Sequence, residues 1–296
     1  MRNYCEYYLV KSILLFTKLL PKHLVYAFCK TIARLFFKFN QRRSSLTLKN
    51  IHLAYPEKSD EEVLLLAKAS YESLALTLAE ILLMLNDKIT IEEMVENTDE
   101  AIAKLSLFTQ ENLNGTVILT GHFSNWELAA HFLAKNGYPM LAVGRKGNNT
   151  LIEEKLTTPF REKYGNKNVY KSAAVVAMVK QLKRGCNVGL LIDQKSGGAN
   201  SIKLTFFNHP ADTVNSVALL KLKYNPLILP IFAARQPNGK YKMLVKEPAT
   251  YTAEEEKDEE VRIQKITQRY NDIIEEVIRE YPEQWFWMHD RWRIAK

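Results

Sequence analysis

Long apolar runs are missing from the part of this chain where a membrane anchor would be sought. Within residues 1–50 the longest stretch without a charged side chain is seven residues, His23 to Cys29, against the ~20 that a spanning helix needs. The segment therefore does not read as a span. Lys11, Lys18 and Lys22 also interrupt any signal-peptide core, and no small-residue cleavage site follows. Cysteine is scarce: Cys5, Cys29 and Cys186 are the only three, widely scattered and without a CxxC. That excludes a disulfide framework and a cysteine zinc site, and it points to a reducing, cytosolic side. Neither a P-loop nor a G-x-G-x-x-G occurs, which leaves nucleotide cofactors without support. There is no HExxH, and His23, His52, His131, His209 and His289 show no ligand spacing, so no metal is expected.

Acidic residues are nearly absent from the first fifty positions, where ten Lys or Arg face one acid, Glu6. That stretch is +9 and the remaining residues sum to −1, which gives the net +8. A nucleic-acid enzyme could place charge this way, but an anionic lipid surface attracts it equally, at ~1 kcal/mol per Lys or Arg close to the bilayer. The apolar pattern favours lipid. Helices are expected over 3–19 and 22–39, parted by Pro21. Lys30, Arg34 and Lys38 step by four through a cylinder otherwise filled by Leu24, Val25, Phe28, Ile32, Leu35, Phe36 and Phe39. Such a basic stripe on an apolar, aromatic surface suits an interfacial helix, although a cap packed on its own domain is the plainer alternative. Residues 1–45 are accordingly expected to meet a membrane surface and 46–296 to form the working domain, with no nucleic-acid partner.

Beyond that segment, "DEEVLLLAKASYESLALTLAEILLML" (60–85) predicts one long core helix with Ser59 or Asp60 as N-cap, followed by an acidic, loop-like connection near 86–100. The runs at 116–120, 139–144, 187–193 and 226–234 are apolar without alternation, as strands buried on both faces should be. Helical stretches near 124–136, 150–164, 173–184 and 212–223 fall between them. The expected fold class is α/β, a mostly parallel central sheet flanked by helices. "KSGGANSIKLTFFNHPADT" (195–213) suggests a loop and hairpin laid over the sheet edge and ending in a His-Pro turn; "PNGK" (237–240) signals a second hairpin, and a charged helix is expected over about 254–280.

Open parallel sheets bind ligands beyond the carboxyl ends of their strands. The residues that follow the apolar runs here are Gly121-His122, Arg145, Asp193-Gln194 and Arg235: a base, two cations and a carboxylate directed towards one edge. In "TGHFSNWELA" (120–129), taking Ser124 as N-cap makes Glu127 the N3 residue of a capping box, with Phe123 and Leu128 as a hydrophobic staple. His122 lies outside that structural explanation. It precedes the cap, and from a loop position it could meet Glu127 in the first helical turn. A neutral imidazole can take a proton from an alcohol while a carboxylate on its other nitrogen fixes the tautomer. No G-x-S-x-G elbow is present, so direct attack by a substrate hydroxyl is more economical than a covalent enzyme intermediate.

Residues 120–129 resemble the H-x4-D/E motif of membrane acyltransferases, in the HFxNWE form of the late acyltransferases of lipid A biosynthesis. Further blocks are similar in order: "NIHLAYPEKSDEE", "VGRKGNN", "LIDQ", "LTFFNHPADT" and "YPEQWFWMHDRW". The resemblance implies a glycerolipid acyltransferase-like fold. It implies His122 and Glu127 as the catalytic pair, and Asn125, Arg145, Asn149, Asp193 and Gln194 as residues that bind substrate or orient that pair. It further implies acyl carrier protein as thioester donor, a lipid A precursor as acceptor, no cofactor, and the cytoplasmic face of the bacterial inner membrane. Lys195, Asp290 after His289, and Gly144 before Arg145 depart from the family pattern. A glycerophospholipid or mannoside-type glycolipid acyltransferase, a thioesterase, and a non-catalytic membrane-binding protein are the alternatives.

Overall fold

The computed structural model describes residues 1–170, 174–197, 201–251 and 256–294. Gly198 of the paired glycines, residue 173 at the head of one expected helix, and the start of the last helix near 254 lie outside these ranges. Six strands form the central sheet: β1 (Thr116–Thr120), β2 (Met140–Gly144), β3 (Lys167–Tyr170), β4 (Asn187–Leu191), β7 (Leu227–Arg235) and β8 (Tyr241–Val245), in the order β3-β2-β4-β1-β7-β8. The first five run parallel, and β8 closes one edge antiparallel to β7 across the 237–240 turn. Central β1 is buried on both faces. Val117 and Leu119 point into one core and Ile118 into the other, which is why its sequence does not alternate.

On one side, β1 and β7 pack against α4 (Asp60–Leu85) and α7 (Trp126–Lys135). On the other lie α10 (Ala174–Leu182), α11 (Ser216–Tyr224) and α12 (Glu259–Glu280), which bury Met178, Val217, Ile274 and Val277. Ser59 caps α4, and its Glu62 side chain returns the bond to complete a capping box.

Several elements differ from the sequence expectation. The acidic connection after residue 86 is partly helical: α5 (Ile91–Met94) and α6 (Thr98–Thr109) place Glu92, Glu93, Asp99 and Glu100 in first turns, where acids favour the helix dipole. Strand β3 was not expected, because "KNVY" carries little apolar signal for an edge position. The helix expected over 150–164 is α8 (Thr150–Ile152), a π turn (Glu153–Thr157) and α9 (Thr158–Glu162), with Pro159 removing a backbone donor at the junction. Residues 212–214, expected as helix, belong to β6 (His209–Val214), which pairs with β5 (Ser201–Phe206). The two-residue turn of this hairpin is Phe207-Asn208, both at positive φ, so His209-Pro210 opens a strand instead of forming the turn. The hairpin packs on α12, where Asn271 donates to the Thr205 carbonyl at 3.0 Å.

Residues 1–54 form α1 (Arg2–Leu19), α2 (Lys22–Phe39) and α3 (Gln41–Ala54), so a division at residue 45 falls inside α3. Helix α2 joins the core through Val25 and Cys29, and Phe37 meets Tyr71 of α4 edge-on at 4.9 Å. Helix α1 is fastened at its end, where Asn86 donates to the Leu14 carbonyl and to Thr17 Oγ1, both at 3.1 Å. Among the described residues no helix is long and apolar enough to cross a membrane.

Candidate active site

Strands β1 and β4 are neighbours in register, Thr120 opposite Leu191, so the residues just beyond them meet. His122 Nδ1 lies 2.8 Å from Asp193 Oδ1. Asp193 Oδ2 accepts from the His122 backbone N–H at 2.9 Å and from Trp285 Nε1 at 2.8 Å. The carboxylate is 1% exposed and bonded on both oxygens. Burial alone would raise its pKa, but the facing His122 ring and these hydrogen bonds hold it below the usual carboxylate range. An ionised carboxylate only accepts, so Nδ1 donates to it, and in the neutral ring the lone pair is the one on Nε2. Gly121 makes the approach possible. A Cβ at that position would stand 3.1 Å from Asp193 Cγ.

The His122 side chain is 26% exposed and borders a narrow cleft between α4 and the segment 284–288. Ser70, Ser73, Leu74 and Thr77 form the α4 wall; Trp126, Phe286 and Met288 stand opposite. The imidazole lies 5.2 Å from the Trp126 ring and 6.4 Å from Phe286. The backbone joins these parts: Phe286 N donates to the His122 carbonyl at 3.1 Å, and Phe123 bridges Trp285.

Glu127 is not the carboxylate that His122 meets. Helix α7 starts one residue later than the expected box requires, with Asn125 as N-cap accepting from Leu128 N at 2.9 Å. Ser124 adopts a left-handed conformation, φ +48°, and does not cap. Glu127 therefore occupies the second helical position and faces α9, where Arg161 binds both of its oxygens at 2.5 to 3.1 Å. The staple is absent for the same reason, and Phe123 packs instead on Phe232 at 5.9 Å.

The other expected residues separate. Asn125 Nδ2 donates to Glu80 Oε2 at 2.9 Å. Asn149 caps α8 and binds the Asn3 carbonyl and Glu6 Oε2 of α1, both at 2.9 Å. Arg145 is exposed beyond β2, two strands from β1 and so ~10 Å away in the sheet. Gln194 is half-buried next to Asp193. Arg235, at the end of β7, pairs with Glu80 and lies over the Tyr241 ring at 4.9 Å. Trp285, Phe286, Arg161 and Glu80 were not singled out from sequence. The aromatic run at 285–287 was the signal for the first two, whereas Arg161 and Glu80 read as ordinary helix-face charges. His289 stands near this pair, its pKa pushed down to about 4 by burial, which leaves it a weak base at neutral pH. Among the described residues no group of three or more His, Cys, Asp or Glu could hold a metal ion.

A family model for the bacterial lipid A biosynthesis acyltransferases matches residues 1–294. The chain belongs to that family. Among curated proteins it is similar to the lipid A biosynthesis lauroyltransferase of Escherichia coli, 24% identical over 93% of this chain and 87% of the relative. A lipid A biosynthesis acyltransferase of Haemophilus influenzae is 24% identical over 86% and 79%, and the palmitoleoyltransferase of E. coli is 26% identical over 86% and 80%. Membership of that family gives acyl transfer as the reaction class.

Proposed function

We propose that this chain transfers a fatty acyl group from an acyl thioester, carried on acyl carrier protein, to a hydroxyl of a lipid A precursor, with His122 as general base. The observation that carries the reading is the 2.8 Å contact between His122 Nδ1 and buried Asp193. With Nδ1–H given to the carboxylate, Nε2 at the cleft takes the proton of the acceptor hydroxyl as its oxygen attacks the thioester carbonyl. Collapse of the tetrahedral species breaks the carbon–sulfur bond, and the imidazolium returns the proton to the departing thiolate. Asp193 stabilises the imidazolium in between, and the N-terminal end of α7 beside His122 favours the developing oxyanion.

In this reading Glu127 supports the site through Arg161. Its grip on that side chain ties α7 to α9, a positioning role and not proton transfer. The basic N-terminal helices bring the cleft to an anionic membrane surface. Tyr4, Leu9, Leu15 and Leu19 on α1 and Ile32, Leu35 and Phe39 on α2 stand exposed, with Lys11, Lys18 and Lys38 among them. The cytoplasmic face of the bacterial inner membrane is the surface that fits.

Mass spectrometry of lipid A from cells with and without the gene tests this. A difference of one acyl group per molecule supports it, and an unchanged acyl count contradicts it. Free fatty acid released from the thioester without acceptor would favour a thioesterase.

A further inference from the structure

Glu80 lies on α4, is 1% exposed, and sits at the centre of a polar group that proton transfer does not use. Its Oε2 accepts from Asn125 Nδ2 at 2.9 Å and from the Tyr241 hydroxyl at 2.6 Å, and its Oε1 pairs with Arg235. The Arg235 backbone is held in turn by the Gln284 side chain: its N–H donates to Gln284 Oε1 and its carbonyl accepts from Gln284 Nε2, both at 2.8 Å. The Gln284 carbonyl accepts from Ser124 N at 2.6 Å. Ser124 is bonded to Asn125, and Asn125 returns to Glu80. The chain of contacts closes on itself as Glu80, Arg235, Gln284, Ser124, Asn125 and back.

This ring encloses the turn that delivers His122. Ser124 holds a left-handed φ of +48°, a conformation that a serine keeps only where its surroundings enforce it. Three contacts do so: Gln284 on its N–H, Thr77 Oγ1 on its carbonyl at 3.2 Å, and the Asn125 side chain locked between Leu128 N and Glu80. Asp193 fixes which way the ring nitrogen points. Asp193 on the His122 N–H and Phe286 on its carbonyl hold the residue directly, and this turn fixes the backbone that follows it, so the stand of the imidazole depends on both. We infer that Glu80 is a positioning residue for His122, acting through the ring that joins Asn125 and Arg235 and never touching substrate.

A paired, fully bonded charge in a low-dielectric interior makes such a ring stiff, and losing one partner leaves the other charge unpaired. The inference rests on His122 being the base, and the experiment separates the two. Purified protein is assayed with acyl thioester and lipid A precursor as Glu80→Gln, as Glu80→Gln with Arg235→Gln, and as His122→Ala, with thermal midpoints recorded alongside. Glu80→Gln alone strands the Arg235 charge and should lose both stability and turnover. The double variant should recover most of the midpoint while kcat stays about ten- to a hundredfold low with KM nearly unchanged, the signature of a displaced base. A double variant with wild-type kcat, while His122→Ala is inactive, would overturn the role of Glu80 and leave the base intact. An active His122→Ala would overturn both.

If the double variant does not fold, Asn125→Ser supplies the same test. Serine caps a helix well but has no arm to reach Glu80. A kcat reduced about tenfold or more in a folded Asn125→Ser protein supports the ring, and an unchanged kcat overturns it.

Discussion

Both carboxylate oxygens of Glu127 are taken by the guanidinium of Arg161, on the side of α7 that faces α9. The Glu127 side chain is 9% exposed and that of Arg161 is 35%. An ion pair this sheltered makes each residue costly to remove alone, because the remaining charge loses its partner. Glu127→Gln and Arg161→Gln should each lower stability by about 1–3 kcal/mol, and the double variant should lose much less than their sum. A thermal or denaturant double-mutant cycle measures this coupling. Activity should follow the same cycle, the double variant being no worse than the poorer single one. Glu127→Gln inactive on its own, with no relief from Arg161→Gln, would instead mean that Glu127 serves the reaction directly.

His131 gives the fold a dependence on acid. It is fully buried on α7, 4.4 Å from the Phe160 ring, and burial pushes its pKa down to about 4 from 6.5. The unfolded chain thus binds a proton that the folded chain refuses between pH 6.5 and 4. Stability is complete above that window and falls as pH drops through it, by roughly 2–3 kcal/mol at the bottom. His131→Leu should remove most of this slope. Urea titrations at pH 7 and pH 4.5 check it, and an equal loss in wild type and variant would place the acid sensitivity elsewhere.

The N-terminal helices call for a finer test than deletion. Val25 and Cys29 of α2 belong to the core beside α4, so removing residues 1–40 would strip a wall from the domain as well as its outer surface. Replacing exposed Leu9, Leu15, Leu35 and Phe39 by Ser touches only that surface. The variant should keep its thermal midpoint and lose most of its binding to vesicles rich in anionic lipid, measured by co-sedimentation. Unchanged sedimentation would assign membrane contact to another part of the chain.

The parallel strands were legible because burial on both faces leaves continuous apolar runs, and the strand-end rule brought His122 and Asp193 onto one rim. The partner of His122 was not. Sequence spacing within "HFSNWE" favoured the near carboxylate, and only strand order makes Asp193, 71 residues later, the adjacent one. The position of the α7 cap decided the matter, and Ser and Asn are about equally good at capping. What tipped it was the left-handed turn at Ser124, enforced by Gln284 and Thr77 from distant elements. Helices α5 and α6 were hidden for a simpler reason: acids and Asn serve loops and helix starts alike.

The pairing of His122 with Asp193 is the claim on which the mechanism stands, and a single substitution tests it most directly. Asp193→Asn keeps the size of the side chain but removes the negative charge that stabilises the imidazolium. Turnover is measured with purified, folded protein, acyl thioester and lipid A precursor, and the acylated product is read by mass spectrometry. The account expects kcat to fall by about 10²-fold or more, with KM little changed. Asp193→Asn turning over at the wild-type rate would contradict it.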